Sequence, residues 1–190
     1  MSKNFTVTFV TGNKDKWNSA KKALEKYPIE LLQQQLETPE IQSMDVGEIA
    51  GYSASYAAKE LGVPVIKTDC GYYITALNGF PGPFVKYFNQ SLTAEDILQL
   101  MKNNPIREVI VRECLAYAAP NQEPALFFSK DKATLAHKAV GNAHGNSPLD
   151  RLLIYEGFSK PQAACDYDKI LEHWSKHFTH YHDFAKLLCK

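Results

Sequence analysis

The stretch from residue 63 to residue 88 constrains the fold more than any other part of the sequence. It opens with a short apolar run, Val63 to Ile66, which has the length of a buried strand. The run stops at Thr68 and Asp69, and an acidic residue that follows a buried strand in an α/β sheet lies at the edge where ligands bind. The proline- and glycine-rich turn of residues 79–83 comes next, and Lys86 stands among apolar neighbours. This combination is typical of a site for a metal-bound anion, but it also fits a strand, a surface aspartate and a tight hairpin.

The balance of charges narrows the range of functions. Lys plus Arg and Asp plus Glu both total 21, which argues against a large electrostatic contact with nucleic acid or with an anionic membrane. A small anion needs only a few local donors and is not excluded. The length of 190 residues suits one sizeable domain or two lobes that share a sheet.

The hydrophobic pattern and the cysteines bear on location. No apolar run approaches the roughly 20 residues of a membrane span, and the first residues show no signal-peptide pattern. The four cysteines are far apart and form no Cys-x-x-Cys pair: Cys70, Cys114, Cys165 and Cys189. We therefore expect a cytoplasmic protein with reduced thiols.

The N-terminal segment predicts a strand, a tight turn and a helix. Residues 5–10 alternate β-branched and aromatic side chains, residues 11–13 are a turn signal, and a helical pattern starts at about Lys14. Unpaired amides and the helix dipole at such a start favour an anion, and Lys14 and Lys16 add positive charge. The spacing of a Walker loop is absent, and the same pattern also describes the commonest α/β connection.

The rest of the chain is predicted to continue as an α/β protein. We expect strands over residues 29–32, 108–118, 125–129, 132–140 and 152–155, and helices over residues 48–61, 94–103 and 168–188. His173 and His177 on the last helix have the spacing of metal ligands, but no Glu stands between them as in His-Glu-x-x-His. A solvated or half-buried helix face is the favoured interpretation of this pair.

Three blocks of the sequence resemble the inosine/xanthosine triphosphate pyrophosphatase family. They are Phe9-Val-Thr-Gly-Asn13 with Lys16, then Pro39-Glu-Ile-Gln42, and then Asp69 with the run from Ala76 to Phe88. The resemblance implies one domain over residues 1–190, an α/β fold with a long mixed β-sheet flanked by helices, and two lobes around a central cleft. It also implies a homodimer that uses Mg²⁺ to hydrolyse non-standard purine nucleoside triphosphates such as ITP, dITP and XTP to monophosphate and pyrophosphate.

The resemblance carries roles to individual residues. Thr11, Asn13 and Lys16 would bind the triphosphate, and Glu40 and Asp69 would hold Mg²⁺ and orient or activate the attacking water. Lys86 would neutralise phosphate charge, His144 would stack on the base, and His182 would donate to it. The chemistry agrees, because pyrophosphate release needs charge stabilisation on phosphoryl oxygens and hard carboxylate oxygens suit Mg²⁺.

The sequence departs from the family pattern at several positions. Thr68 stands where the family has a second acidic residue, and Lys59 is the nearest lysine to the one that the family places in the preceding helix. In the base-reading loop of residues 144–148, Asn146 and Ser147 stand where the family has a second aromatic residue and an aspartate, and Asp183 replaces the arginine that reads the purine. Three hypotheses follow: an active pyrophosphatase with altered or relaxed base recognition, a nucleotide-binding protein with little catalysis, or a partner-binding protein with a vestigial site.

Overall fold

The computed structural model describes residues 5–142 and 147–189, and its centre is a seven-stranded mixed sheet. The strand order is β2-β1-β3-β5-β6-β7, with β4 paired to β3. The strands are β1 (Phe5–Val10), β2 (Ile29–Gln34), β3 (Val65–Ile74), β4 (Pro81–Gly82), β5 (Glu108–Ala118), β6 (Ala125–Leu135) and β7 (Leu153–Tyr155). The helices are α1 (Lys14–Leu24), α2 (Val46–Leu61), α3 (Val85–Ser91), α4 (Ala94–Leu100), α5 (Tyr167–His177) and α6 (His180–Leu188). The predicted fold class, a long mixed sheet flanked by helices, is confirmed.

The chain divides into two compact units. Of the described residues, 5–69, 113–129 and 171–189 form unit 1, and 70–112, 130–142 and 147–170 form unit 2. Strands β3, β5 and β6 each contribute residues to both units. The assignment of residues 1–190 to a single domain, and the cleft, stay predictions. No helix in the described ranges is long and apolar enough to cross a membrane.

Unit 1 is built on three parallel strands with helices on both faces. β1 pairs in parallel with β2 through Phe5↔Ile29 and with β3 through Thr8↔Val65. One face packs against α1 and α6, with Phe9, Ile66, Leu115 and Phe184 among its buried residues. The other face packs against α2, with Val10, Val65, Cys114 and Ala54 among its buried residues. Successive strand residues therefore alternate between an α1/α6 face and an α2 face.

The prediction that the central strand ends before Asp69 was wrong. β3 continues from Val65 to Ile74, so Asp69 lies inside the strand and is half-buried. The apolar run stops early because Lys67 and Asp69 interrupt it, whereas Tyr72 and Tyr73 pair with β4 and extend it. Polar residues inside a strand hid its true length.

Three other boundaries differ from the sequence-based prediction. β6 is continuous, although two strands over 125–129 and 132–140 were expected, because the buried polar residues Ser129 and Asp131 broke the apolar pattern. The tail forms two helices instead of one, with a break at Phe178 and Thr179. The segment after the proline- and glycine-rich turn forms the helix α3.

Candidate active site

The turn after β1 is held by its own side chains. Asn13 is the N-cap of α1, and its Oδ1 accepts hydrogen bonds from the amides of Asp15 at 2.8 Å and Lys16 at 3.1 Å. The Asn13 amide donates to Thr11 Oγ1 at 3.1 Å. The expectation of unpaired amides at this helix start was therefore wrong for Asp15 and Lys16. The side-chain NH₂ of Asn13 remains the group of this residue that can donate to a ligand.

Lys16 reaches from α1 to the neighbouring strand. Its Nζ donates to the backbone carbonyl of Thr68 at 2.7 Å, which places the ammonium at β3 directly before Asp69. Tyr181 supports the same helix, since its hydroxyl donates to the Lys16 carbonyl at 3.4 Å. The Thr68 hydroxyl is buried and has no hydrogen-bond partner in the described parts of the chain. Buried hydroxyls of this kind are rare and mark places where water or a ligand supplies the missing bond.

The side chains of Lys67 and Asp69 share the α2 face of β3. They are two residues apart on one strand, and they follow Val65, which is buried in the α2 cluster. The Lys67 Nζ donates to Thr38 Oγ1 at 2.5 Å. Burial and the positive charge of Lys16 lower the pKa of Lys67, while the charges of Glu40 and Asp69 act in the opposite direction. Two cations and two carboxylates therefore lie within electrostatic reach of one another in unit 1.

Glu40 is exposed on the irregular segment between β2 and α2. Two contacts fix the residues before it: Lys67 bonds to Thr38, and the buried Ser53 of α2 donates through Oγ to the Pro39 carbonyl at 3.2 Å. Glu40 lies in neither a strand nor a helix, and this pair of contacts ties the two residues directly before it to β3 and α2.

The donor set fits Mg²⁺. Glu40 and Asp69 offer hard carboxylate oxygens, and the charges of both act on the ammonium of Lys67. Cys114 lies on the same face, but burial, reinforced by the charges of Asp45 and Asp69, raises its pKa to about 12. Its thiol stays protonated, and the carboxylates are the chemically competent ligands here.

The strand order explains why these groups meet. β1 connects through α1 to β2, which pairs with one edge of β1. β2 connects through α2 to β3, which pairs with the other edge of β1. Such a reversal between two neighbouring parallel strands opens a crevice at their carboxyl ends, where α/β proteins bind ligands. The turn of residues 11–13 lies at the end of β1, and Lys16 bridges to β3. The geometry therefore supports an anion site in unit 1.

Unit 2 holds the proline- and glycine-rich turn and Lys86. β4 pairs antiparallel with β3 through Tyr72↔Gly82, and α3 begins directly after Phe84. Phe80 packs edge-on against Phe88 with ring centroids 5.5 Å apart, which anchors the turn on the helix. Lys86 is exposed in the first turn of α3. Its role in neutralising phosphate charge stays a prediction.

The two predicted base-binding histidines have different outcomes. His144 lies outside the described residues. The Nε2 of His182 lies 2.8 Å from the Ser175 carbonyl, and its Nδ1 lies 3.5 Å from the Tyr27 hydroxyl. Both ring nitrogens thus have partners within unit 1, which is the arrangement of a histidine that joins α5 to α6. The contact of His182 with a base stays a prediction.

Sequence reasoning missed Lys67 and assigned no role to Thr38 or Ser53. The signal for Lys67 was present, because a lysine two residues before Asp69 in a strand must share its face. It was overlooked because the apolar run was taken to end at Ile66. The contacts of Thr38 and Ser53 connect elements that are distant in sequence, so no local sequence pattern predicts them.

Comparison with known proteins identifies the family of this arrangement. The model of the Ham1 family matches residues 7–171. The chain belongs to the Ham1 family. A dITP/XTP pyrophosphatase from Methanopyrus kandleri is 38% identical over 144 residues, which are 75% of this chain and 77% of that protein. An inosine triphosphate pyrophosphatase from Candida glabrata is 28% identical over 94% of this chain and 96% of its own. The predicted family is confirmed.

The fold of the Ham1 chain is also that of solved structures. A HAM1 protein from Coxiella burnetii superposes with a TM-score of 0.77, covering 97% of this chain and 98% of that chain at 17% identity. A Ham1 protein from Staphylococcus aureus gives a TM-score of 0.70, covers 96% of this chain and 95% of its own, and is 20% identical. At such identities the likeness shows the fold alone.

A buried histidine supports α6 in this Ham1 protein. His180 is fully buried, its Nδ1 lies 2.6 Å from Ser129 Oγ, and its Nε2 lies 3.4 Å from Glu113 Oε2. Burial, followed by the positive charges of Lys16 and His182, lowers the pKa of His180 to about 3. The neutral ring with its proton on Nε2 suits both neighbours, since Ser129 then donates to Nδ1.

This histidine predicts an acid-sensitive fold. His180 titrates at 6.5 when unfolded, and its folded pKa is about 3, so between these values only the unfolded chain takes up the proton. As the pH falls below 6.5, the free energy of unfolding should therefore decrease by up to about 1.4 kcal/mol for each pH unit. Urea unfolding at several pH values between 7.5 and 5 measures this slope. His180→Gln should flatten the slope and the exposed His177→Gln should not; equal slopes in both variants would contradict the assignment.

Proposed function

We propose that this protein hydrolyses non-standard purine nucleoside triphosphates such as dITP, ITP and XTP to the monophosphate and pyrophosphate, with Mg²⁺ as cofactor. One observation carries the proposal: Lys16 donates to the Thr68 carbonyl of β3, and the charges of Lys16, Glu40 and Asp69 all act on Lys67, in a chain of the Ham1 family. The names of the similar proteins from Methanopyrus kandleri and Candida glabrata support the substrate class.

The residues of unit 1 divide the work by their chemistry. Lys16 and the side-chain amide of Asn13 bind phosphoryl oxygens at the start of α1, and Thr11 keeps this turn in shape through its bond to the Asn13 amide. Glu40 and Asp69 hold the metal. When bound, Mg²⁺ polarises water and offsets negative charge on the phosphoryl oxygens. Asp69, which β3 fixes in place, orients the attacking water, and Lys86 of unit 2 is assigned to offset the charge of the leaving pyrophosphate.

A nucleotide-binding protein with little catalysis is the second candidate. It was motivated by Thr68, which takes the place of a second acidic residue. Thr68 projects from the α1/α6 face of β3, opposite to Asp69, because strand residues alternate. An acidic side chain at this position would not lie beside Asp69, so Thr68 does not remove a ligand from the Glu40 and Asp69 pair. The geometry therefore favours the active enzyme.

We expect weak discrimination among purine bases. Asp183 ion-pairs with Lys186 at 2.9 Å on the exposed side of α6, and both ring nitrogens of His182 are engaged. A site without paired polar groups on the base loses selectivity, since those groups carry most of the discrimination. The kcat/KM values for dITP, XTP, ATP and GTP should lie within about ten-fold of one another. A preference for dITP of a thousand-fold would show that other residues read the base.

We also propose that the enzyme is a cytoplasmic homodimer. Leu126 and Phe128 project from one face of β6, beside Gly51 and Gly47 of α2, and remain 39% and 53% exposed. Exposed apolar side chains next to each other on one surface are typical of interaction sites. Light scattering in solution tests the proposal, and a mass of one chain at micromolar concentration would contradict it.

A further inference from the structure

The charges of unit 1 point to a substrate-binding residue that the motif comparison does not assign. Lys67 lies two residues before Asp69 on β3, and alternate residues of a strand project from the same face. Asp69 is assigned to the reacting centre, so the ammonium of Lys67 lies on the reacting side of the strand. Lys16 reaches the same part of the strand through its bond to the Thr68 carbonyl, and its charge acts on Lys67.

We propose that Lys67 binds a phosphoryl oxygen of the triphosphate as a second cation beside Lys16. The inference rests on the proposed function and deepens it. The bond of 2.5 Å to Thr38 Oγ1 fixes the direction of the Lys67 side chain. An ammonium has three donors, so it can hold Thr38 and a phosphoryl oxygen at the same time.

The surrounding charges favour a polyanion next to Lys67. Two lysines that act on each other in a half-buried place repel, and a polyanion between them turns this repulsion into attraction. Glu40 and Asp69 offset the lysines in the free protein, but both carboxylates are assigned to the metal. The phosphate groups then become the counter-charge of Lys16 and Lys67.

Helix α2 does not supply this cation. This helix covers the same face of the sheet. Its lysine, Lys59, is exposed in the last turn of the helix. The residue of α2 that contacts the segment of Glu40 is Ser53, which is neutral and donates to the Pro39 carbonyl. The positive charge next to Asp69 on this face therefore comes from the strand.

Binding of inorganic tripolyphosphate to the full chain at saturating Mg²⁺, when the two carboxylates are engaged by the metal, tests the proposal. Calorimetry should show Lys67→Met weakening the affinity by about ten-fold or more, which is about 1.4 kcal/mol. Lys67→Arg keeps the charge and should retain most of the affinity. The matched control Lys59→Met removes one exposed lysine and should bind as the wild type does. For the nucleotide substrate, the KM of Lys67→Met should rise by the same factor as the tripolyphosphate dissociation constant.

Thermal unfolding separates substrate binding from a structural role. Burial disfavours the charge of Lys67, so methionine at this position should leave the unfolding temperature unchanged or raise it. A Lys67→Met protein that unfolds at lower temperature and binds tripolyphosphate like the wild type would overturn the proposal. Wild-type affinity and KM in Lys67→Met, or no tripolyphosphate binding by the wild type in the presence of Mg²⁺, would overturn it as well.

The same experiments keep the two claims apart. If the wild type hydrolyses no nucleotide but binds tripolyphosphate, and Lys67→Met does not, then the proposed function fails and the role of Lys67 stands. If the wild type hydrolyses nucleotides and Lys67→Met shows unchanged affinity and KM, then the role of Lys67 fails and the proposed function stands.

Discussion

Replacement of Asp69 by asparagine is expected to lower kcat by about a thousand-fold, as is typical when a group that activates water is lost. Asp69 lies within β3 and is half-buried, and its charge acts on Lys67. Asparagine has the same shape but no charge, so it removes the negative charge that the proposed metal site requires and leaves the strand intact. Pyrophosphate release from dITP with Mg²⁺ measures the effect, and the unfolding temperature checks the fold.

The control for this variant is Glu123→Gln, which removes an exposed carboxylate from the connection between β5 and β6. It should retain wild-type turnover. Binding of Mn²⁺, used as a spectroscopic probe, should weaken in Asp69→Asn and stay unchanged in Glu123→Gln. Full turnover in Asp69→Asn would remove this residue from the mechanism.

Alanine at Gly141 is expected to destabilise the protein by about 3 kcal/mol, the sum of backbone strain and overpacking. Gly141 has φ +82°, a left-handed conformation that alanine adopts poorly. A Cβ atom here would also collide with the carbonyl group of Ala163, and the nitrogen of Ala164 would be 2.7 Å away. Backbone atoms cannot rotate aside as a side chain can. Urea unfolding of both proteins gives the difference in free energy.

Gly157 provides a matched control for this prediction. Its φ is +85°, nearly that of Gly141, but nothing lies within 4 Å of the place where a Cβ would be. Gly157→Ala should therefore show only the strain, about 1–2 kcal/mol. The difference between the two variants isolates the contact with Ala163. Equal losses of stability would contradict the close approach at Gly141.

The first strands and helices could be predicted from the sequence because their signals are local. β1 and β5 have the predicted bounds, 5–10 and 108–118, and α1 starts at Lys14 as expected. Thr93 caps α4 in a capping box with Asp96, which the sequence spacing indicates directly. Alternation, capping residues and turn residues lie close together along the chain, so a pattern of a few residues is enough.

The errors arose where polar residues lie inside strands. Asp69 in β3 and Ser129 in β6 interrupt apolar runs that the sheet nevertheless continues. Pairing with neighbouring strands, which is invisible in a single sequence, overrides the local pattern. At Asp69 the interruption coincides with the candidate site, which agrees with the expectation that local rules fail where function requires a polar group.

The candidate site divides in the same way. Its motif residues Thr11, Asn13 and Lys16 were found from the sequence, and the structure adds that Asn13 caps α1 while Lys16 bonds to the Thr68 carbonyl. Lys67 was missed because the strand was taken to end at Ile66, and its contact with Thr38 could not be predicted because Thr38 lies on a segment without regular structure. Contacts between distant segments depend on how α2 and β3 pack, and the sequence does not display that packing.

The most direct measurement of the central claim is the identity of the products formed from dITP. Anion-exchange chromatography with a phosphate assay should find one monophosphate and one pyrophosphate for each dITP consumed, in the presence of Mg²⁺. Orthophosphate and dIDP as products, or no turnover by the folded protein, would contradict the assignment of this Ham1 chain as a pyrophosphatase.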